Sequence, residues 1–152
     1  WDLFSFRFVK PRQYIGLQAP TTECRTIEQA LKAMGIEEKM IPTWIPDGYE
    51  VEDTEIDYGE DMWYVSLRQT FAKKGEPVQI EYSCFAIENN QGAVHPKDVG
   101  EPESYFAGGV QHFTMQENRH WTGVWEQGGF ECSIHGYQTR EELLRAIDSI
   151  YE

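Results

Sequence analysis

Three histidines near the C-terminal end of the sequence lie in strand-like segments, and histidine is the commonest metal ligand among side chains. His112, His120 and His135 alternate with apolar residues in these segments. The predicted register of the hairpins places all three on one polar face of a sheet, but in different rows. Because their side chains would not converge on one ion, we predict no metal site and treat them as candidate binding residues.

Acidic residues are concentrated between Glu50 and Asp61, where their oxygens could serve as calcium ligands. A calcium-binding loop alternates its ligands around an invariant glycine before a final glutamate, and this stretch lacks that spacing. Its acidic residues alternate instead with Val51 and Ile56. The pattern predicts a strand at the edge of a sheet, kept from pairing with another chain by its charge.

The sequence contains no pattern typical of a catalytic nucleophile or a phosphate site. There is no G-x-S-x-G, and Gly108-Gly109 and Gly128-Gly129 do not stand between a strand and a helix. We interpret Gly108-Gly109 as a bend or bulge within one long strand. No two carboxylates stand out as a pair, so we expect a protein that is not an enzyme and has no cofactor. The alternative is a small secreted hydrolase that cleaves glycan or peptidoglycan with paired carboxylates.

The three cysteines, Cys24, Cys84 and Cys132, are widely spaced and form no C-x-x-C pair. A zinc ribbon or a framework of several disulfides is therefore not predicted. Cys84 and Cys132 each lie in an alternating apolar pattern, in which a thiol behaves as a small hydrophobic side chain. One bridge between them requires that their strands be neighbours, which the sequence leaves open.

Aromatic side chains are abundant, with five Trp and eight Tyr. Most of them are expected in the core, but a ring exposed on a sheet can stack on a sugar or grip a peptide. Trp63 and Tyr64 are adjacent in a predicted strand, so their side chains should point to opposite faces. We therefore expect one of them to be exposed, and include both among the candidate binding residues.

The net charge of the chain argues against one large class of partners. Lys and Arg number 13 against 26 Asp and Glu, which gives a formal net charge of −13 at pH 7. A surface of this sign repels phosphate backbones and anionic lipid headgroups, so nucleic-acid binding is not expected. The length of 152 residues favours one folded domain. No apolar run of about 18 residues occurs, so no membrane span is predicted within the sequence.

Two helices are predicted from their capping residues and their apolar periodicity. Thr26 with Gln29, and Thr139 with Glu142, form capping boxes, and Gly35 ends the first helix. Each helix has one apolar face. The apolar positions are Ile27, Ala30, Leu31 and Met34 in the first helix, and Leu143, Leu144, Ile147, Ile150 and Tyr151 in the second.

Between the helices the sequence predicts strands that are rich in Val, Ile, Thr and aromatic residues and bounded by Gly, Pro or Asn. Consecutive hairpins without a βαβ pattern indicate the α+β class, with a meandering antiparallel sheet and an N-terminal and a C-terminal helix covering one face. We predict that residues 26–152 form this single domain and that residues 1–25 are a linker or N-terminal extension. The predicted strands are 49–58, 62–72, 78–87, 104–116, 119–127 and 129–136, and 88–103 is predicted to be a loop.

The turns between the last strands predict which side chains share a face. Gly128-Gly129 suits a two-residue hairpin turn, which pairs Trp125 with Cys132. For the preceding hairpin we predict a three-residue loop, 117–119, because a two-residue loop would mix apolar and polar side chains on one face. The predicted core face carries Phe113, Met115, Trp121, Trp125, Cys132 and Ile134, and the opposite, polar face carries His112, Thr114, His120, Thr122, Ser133 and His135.

Several short motifs occur in an order that resembles a known protein family. Ile45-Pro46-Asp47-Gly48-Tyr49 precedes the strands, and Gly108-Gly109-Val110 and the segment from Trp121 to Trp125 lie within them. The segment from Thr139 to Leu144 then opens a helix that closes on Asp148-Ser149-Ile150. Together these motifs resemble the domain of unknown function numbered 4367, over roughly residues 40–152.

The resemblance implies a location and a role, but no catalytic residues. In that family the domain typically forms the extracytoplasmic C-terminal part of membrane-anchored, anti-sigma-factor-like proteins of Gram-positive bacteria. We therefore expect a monomeric extracytoplasmic sensor or interaction domain, tethered by an upstream transmembrane helix to which residues 1–39 would lead. Its partner would be a protein, a peptide or a cell-wall ligand, bound through the sheet face or the 88–103 loop. A purely structural spacer is a third hypothesis.

Overall fold

The computed structural model describes residues 2–5, 17–87 and 94–152. This part of the chain forms two α-helices and nine β-strands. The helices are α1 (Ile27–Ala33) and α2 (Arg140–Ile150). The strands are β1 (Asp2–Ser5), β2 (Glu50–Tyr58), β3 (Tyr64–Ala72), β4 (Ile80–Ile87), β5 (Val94–Lys97), β6 (Glu103–Ala107), β7 (Val110–Glu117), β8 (His120–Gln127) and β9 (Phe130–Tyr137).

Seven of the strands form one antiparallel sheet in the order β2-β3-β4-β9-β8-β7-β6. The sheet consists of two meanders, β2 to β4 and β6 to β9, which are joined where β4 pairs with β9. The helices cover one face of this sheet and share a core with it. The predicted α+β class, with a helix at each end of the strand order, is confirmed. The acidic strand β2 lies at an edge, as predicted.

Both helices begin where the sequence predicts. The hydroxyl of Thr26 accepts a hydrogen bond from the backbone N–H of Gln29, and that of Thr139 accepts one from Glu142, each at 3.1 Å. Gly35 follows α1 with a φ of 84°, the left-handed conformation that commonly ends a helix. Neither helix of the described residues is long and apolar enough to cross a membrane. The buried apolar positions are Ile27, Ala30, Leu31 and Met34 around α1, and Leu143, Ala146, Ile147 and Ile150 in α2.

The core lies between the helices and the sheet. Alternate residues of the central strands point into it, among them Cys84 of β4 and Cys132 of β9. Gly123 of β8 allows α2 to approach closely, since a Cβ there would lie 3.3 Å from the side chains of Leu143 and Ile147. Each large apolar side chain buried in this core contributes about 1.5–3 kcal/mol to folding.

A short second layer covers part of the other face of the sheet. β1 and β5 form a two-stranded antiparallel ribbon, and the ring centre of Phe4 lies 5.1 Å from that of Phe113 on β7. Nε2 of His95 on β5 lies 3.1 Å from Oε1 of Glu131 on β9. The ribbon therefore covers β7 and the Glu131 end of β9 on the side of the sheet that faces away from the helices.

The prediction that residues 88–103 form a loop is wrong at Val94–Lys97, which form strand β5. This strand has four residues and contains Pro96, so its pattern is too short to distinguish from a loop in the sequence. Residues 88–93 of the predicted loop lie outside the described residues.

The predicted long strand 104–116 is instead a hairpin. β6 and β7 are joined by a two-residue turn at Gly108-Gly109, whose φ angles are 56° and 76°. A type I′ turn requires this left-handed conformation at both positions, and glycine adopts it without strain. A Cβ on Gly108 would also overlap the ring of Tyr151. The interpretation of this glycine pair as a bend or bulge is therefore wrong.

The register of the β7–β8 hairpin also differs from the prediction. Asn118 and Arg119 form a two-residue turn with φ angles of 49° and 69°, and Glu117 pairs with His120. The predicted three-residue loop is therefore one residue too long, and this error exchanges the two faces of β7. Phe113 and Met115 consequently lie on the ribbon side of the sheet. The prediction assumes that β7 has one apolar and one polar face, whereas the helices cover one of its faces and the ribbon covers the other.

The last hairpin has the predicted register. Gly128-Gly129 forms the turn, with both φ angles positive. Trp125 pairs with Cys132 and Gly123 pairs with Ile134. A two-glycine turn between alternating strands is a strong hairpin signal, and here it fixed the pairing correctly.

Replacing Arg119 with glycine should stabilise the protein. Arg119 stands at the second position of a type I′ turn, where glycine is preferred after asparagine, and a residue with a Cβ costs about 1–2 kcal/mol in the left-handed conformation. We expect Arg119→Gly to raise the free energy of unfolding by about 1 kcal/mol and the melting temperature by about 2–4 °C. Thermal unfolding followed by circular dichroism measures this change.

Lys74→Gly is the matched control. Lys74 is an exposed cation between β3 and β4, and its φ is not positive. Glycine there relieves no strain and only increases the entropy of the unfolded chain, so the melting temperature should stay the same or fall. A lower melting temperature in Arg119→Gly than in the unmodified protein would contradict the assigned turn.

Candidate functional site

In the part of the chain that the structure describes, the half of the sheet that β1 and β5 do not cover has one exposed face. We define the open face as the side of β2, β3 and β4, together with the His135 end of β9, that points away from the helices. The side chains of Arg68 on β3 and His135 on β9 lie on it and are 48% and 47% exposed. The alternate side chains of the same central strands are buried against the helices. The open face is therefore the accessible surface of a rigid sheet, and we place the candidate site here.

Four ionisable side chains form a row across the open face, one from each strand. We call Glu55, Arg68, Glu81 and His135 the charge row. Arg68 contacts Glu55, and its Nε lies 3.5 Å from Oε1 of Glu81. Oε2 of Glu81 lies 2.8 Å from Nε2 of His135. The strand register brings these groups together, since Glu55 pairs directly with Arg68 and Glu81 pairs with His135.

The charge row determines the ionisation of Glu81. The hydrogen bond with His135 lowers the pKa of Glu81; partial burial opposes this, and the charges of His135 and Arg68 add to it. The carboxylate therefore stays charged at neutral pH and acts as an acceptor. A general acid for glycoside hydrolysis needs a raised pKa instead. The row suits recognition of a polar partner better than proton donation.

Two aromatic side chains lie at one end of the open face. Trp63 is 46% exposed, and its ring centre lies 4.5 Å from that of Tyr64 in an edge-to-face arrangement. Tyr64 begins β3 on the same side as Arg68, and a hydrogen bond with Asp57 raises its pKa. Trp63 precedes the strand, so the prediction that the two residues are strand neighbours pointing to opposite faces is wrong.

The turn between β2 and β3 positions Trp63 through uncommon backbone geometry. Asp61 and Met62 both have a φ of 57°, a conformation that is costly for residues with a Cβ. Met62 is buried and anchors the turn in the core. A Cβ on Gly59 would overlap the indole of Trp63, so only glycine permits this packing. Such conformations cluster at binding sites, where the surrounding structure maintains them.

His112 is buried on the helix side of the sheet, and not on the polar face that the sequence predicts. The one-residue shift in β7 is the reason. Its Nε2 lies 2.8 Å from the hydroxyl of Tyr151, and its Nδ1 lies 3.1 Å from the carbonyl oxygen of Tyr105. Burial lowers the pKa of His112, so it is a neutral core residue and leaves the set of candidate binding residues.

His120 and His135 lie at separate places on the side away from the helices. Nδ1 of His120 lies 3.0 Å from the carbonyl oxygen of Asn118 at the β7–β8 turn, whereas His135 belongs to the charge row. Within residues 2–5, 17–87 and 94–152, no three His, Cys, Asp or Glu side chains are grouped to hold a metal ion. The structure thus brings Trp63 and Tyr64 into contact, places His135 in the charge row and leaves His120 apart.

A cavity on the helix side is a second candidate. It has a volume of about 490 Å³ and lies between α1, residues 36–43 and the C-terminal end of α2. Phe71 and Tyr82 line it, but they are only 8% and 3% exposed. Lys39 and Glu28 also line it, so charges of both signs border its apolar lining. This lining does not favour one class of ligand, and the open face remains the stronger candidate.

Residues 39–150 match the family described as domain of unknown function (DUF4367). The match includes every strand of the seven-stranded sheet and all of α2. The chain belongs to the DUF4367 family. This confirms the resemblance inferred from the motifs. No curated protein and no solved structure shows significant similarity to the chain.

The structured part of this DUF4367 protein extends beyond the matched residues. α1 precedes the match, yet its first residue, Ile27, is fully buried. The backbone N–H of Ile27 donates to Oε1 of Gln69 on β3 at 3.0 Å. Helix α1 is therefore part of the folded unit in this chain.

The central residues of the open face do not stand out in the sequence of this DUF4367 domain. Arg68 and Glu81 lie at ordinary polar positions of alternating strands, and only the pairing of β3, β4 and β9 brings them to His135. His95 and Glu131, which link the ribbon to the sheet, are equally inconspicuous.

His112 should make the stability of this DUF4367 domain depend on pH. Its pKa in the folded protein lies below the unfolded value of about 6.5. Below that pH the unfolded chain binds a proton that the folded protein binds less readily, so the stability contributed by neutral His112 is lost as the pH falls. We expect the free energy of unfolding to decrease between pH 8 and pH 5.5, measured by urea denaturation.

His112→Gln should remove most of that decrease. It should also lower the free energy of unfolding at pH 8 by about 1–3 kcal/mol, because buried hydrogen-bonding groups lose their partners. His120→Gln is the control, because it removes an imidazole at the β7–β8 turn and leaves His112 in place, so the decrease should still be observed. An unchanged pH dependence in His112→Gln would contradict the burial of a neutral imidazole.

Proposed function

We propose that this DUF4367 domain is a non-catalytic interaction domain that binds a protein partner through the open face. We further propose that it works outside the cytoplasm as part of a membrane-anchored, anti-sigma-factor-like regulatory protein. The observation that carries the first proposal is the exposure of Trp63 and Arg68, with the partly buried Tyr64 in contact with Trp63, on one side of the sheet. Trp, Tyr and Arg are the residue types that dominate binding energy at protein interfaces.

The shape of the open face favours a macromolecular partner over a small molecule. Small ligands bind in concave, mainly apolar pockets. The open face is built from adjacent strands that present the charge row and hydroxyl side chains such as Ser83 and Ser133, which are paired across β4 and β9. An extended polar surface with a few large aromatic side chains at one end resembles the composition of protein interfaces.

The charge of the domain supports a partner with a basic surface. The chain carries a net charge of −13, and the edge strand β2 next to Arg68 contributes Glu50, Glu52 and Asp53. Complementary potentials increase the rate of association and exclude partners of the wrong sign. Within the charge row, Glu81 stays ionised and can accept hydrogen bonds from a cationic group of the partner.

The proposed location rests on family membership and on the role that the resemblance implies for the domain. An interaction domain outside the cytoplasm could respond to a partner there and transmit its occupancy to the rest of a regulatory protein. A small hydrolase remains the alternative from the sequence. The lowered pKa of Glu81 does not favour it at this site.

Site-specific photo-crosslinking in cells that produce the full-length protein tests the proposed interface. A photoreactive phenylalanine analogue replaces Trp63 on the open face or Glu28 on the exposed side of α1. We expect a discrete protein adduct from position 63 and none from position 28. Adding Arg68→Glu should reduce the adduct at position 63 about tenfold, which corresponds to about 1.4 kcal/mol of binding energy.

Lys74→Glu is the matched control for Arg68→Glu. It makes the same change of charge at an exposed position off the open face, so the adduct should persist. Circular dichroism of both purified variants checks that they fold. An adduct formed only at position 28, or one unaffected by Arg68→Glu, would contradict the proposed interface. An adduct that is removed by a muramidase but not by a protease would replace the protein partner with a cell-wall glycan.

A further inference from the structure

Two of the three cysteines are directly opposite each other in the centre of the sheet. Cys84 on β4 pairs with Cys132 on β9, so the condition that their strands be neighbours is met. Both are free thiols, and each is 1% exposed. Both side chains point to the helix side of the sheet, between Leu67 of β3 and Trp125 of β8, which are their other cross-strand neighbours.

The pairing places the two thiols within the range required for a disulfide. Directly opposite residues of antiparallel strands have Cα atoms about 4.5 Å or about 5.5 Å apart, depending on the hydrogen-bonding pattern. Disulfides form over Cα separations of about 4.4–6.8 Å, so either arrangement permits the bond. The two thiols are also in contact through a hydrogen bond. Burial raises the pKa of Cys132 most, and the hydrogen bond with Cys84 raises it further.

We propose that Cys84 and Cys132 form a disulfide that links β4 to β9 when the domain folds under oxidising conditions. The bond would join the last strand of one meander to the last strand of the other. It would close a loop that contains β5, β6, β7 and β8. Loop closure restricts the unfolded chain more as the loop becomes longer, so this crosslink stabilises the folded sheet.

The reaction is thiol–disulfide exchange with a disulfide oxidant such as oxidised glutathione. One cysteine thiolate attacks the oxidant, forms a mixed disulfide and releases one reduced glutathione. The second thiolate then displaces the second glutathione and closes the Cys84–Cys132 bond. Two electrons and the two thiol protons pass to the two glutathione molecules, which balances the reaction.

The bond forms during folding, before the helices cover the sheet. In the folded protein both thiols lie in the core that the helices share with the sheet, and Tyr151, which directly follows α2, packs against this core. The proximity of Cys132 contributes, after burial, to raising the pKa of Tyr151 to about 12. A buried thiol of raised pKa supplies little thiolate and cannot reach a bulky oxidant. Oxidation of the folded, reduced protein should therefore be slow, and oxidation during refolding should be fast.

The oxidising environment is the part of this inference that rests on the proposed extracytoplasmic location. The pairing itself rests on the strand register alone. Refolding in vitro therefore tests the disulfide without regard to where the domain works, and its failure would leave the proposed interaction at the open face untouched.

The test is refolding of the whole chain in a glutathione redox buffer, followed by alkylation of free thiols and mass spectrometry of unreduced peptides. We expect one linked pair, Cys84–Cys132, with a mass lower by two hydrogen atoms, and Cys24 carrying the alkyl group. The oxidised protein should melt several degrees above the reduced protein. Folded, reduced protein exposed to the same buffer should acquire the bond at least tenfold more slowly than refolding protein.

Cys24→Ala and the double variant Cys84→Ala/Cys132→Ala are the controls. Cys24→Ala should retain the linked pair and the difference in melting temperature between oxidised and reduced forms. The double variant should show no such difference, whatever its own stability. Alkylation of both Cys84 and Cys132 after oxidative refolding, or a linkage that includes Cys24, would overturn the proposal.

Discussion

The pairing of β4 with β9 is the interaction on which the rest of the structure depends. It joins two meanders, each of which could pair its own strands through short turns, into one seven-stranded sheet. β9 reaches β4 only after four intervening strands, so this contact is the least local pairing in the sheet. Contacts between distant parts of a chain are slow to form because loop closure precedes their stabilisation. The same pairing aligns Glu81 with His135 and Cys84 with Cys132.

The layers on the sheet explain why the open face is exposed. Both helices lie on one side, and α2 follows β9 after a short connection capped by Thr139. The ribbon of β1 and β5 lies on the other side, but against β7 and β9, where Phe4 meets Phe113 and His95 meets Glu131. The part of the sheet formed by β2, β3, β4 and the His135 end of β9 therefore has one covered and one accessible face.

The charge row is stable on this accessible face because its charges are largely paired within the row. Each of its contacts is exposed enough to be worth little by itself, since solvent screens it. Their value lies in orientation: Arg68 is held between two carboxylates, and Glu81 is kept ionised. A partner that inserts a cation or an acceptor into the row finds groups that are already ordered, which reduces the entropy lost on binding.

Local signals in the sequence were sufficient to predict where the helices begin and where the last hairpin turns. They were not sufficient to predict which face of the sheet a side chain lies on. The capping residues Thr26 and Thr139 and the turn Gly128-Gly129 have short-range causes, and each was predicted correctly. The face of His112 depends on the length of one turn and on the ribbon that covers the opposite side. That register requires a left-handed conformation at Asn118 and Arg119, and neither of these residues is glycine, so the turn is difficult to recognise from the sequence.

The same limit applies to the candidate site. The sequence predicts that one of the two aromatic residues Trp63 and Tyr64 is exposed. Their contact with each other depends on the strained turn at Asp61 and Met62, which the sequence does not indicate. Arg68 and Glu81 become neighbours only through strand pairing. Alternation identifies polar positions, and tertiary structure decides which of them form a surface.

Amide hydrogen exchange of the native domain tests the β4–β9 pairing most directly, because the open face exists only if these strands are neighbours. One continuous sheet predicts that amides of β4 and β9 exchange slowest, through global unfolding, with nearly the same free energy in both strands. Amides of the edge strands β2 and β6 should exchange faster. Two meanders that exchange as independent units, or amides of β4 and β9 that exchange as fast as those of β2, would contradict this architecture and the site built on it.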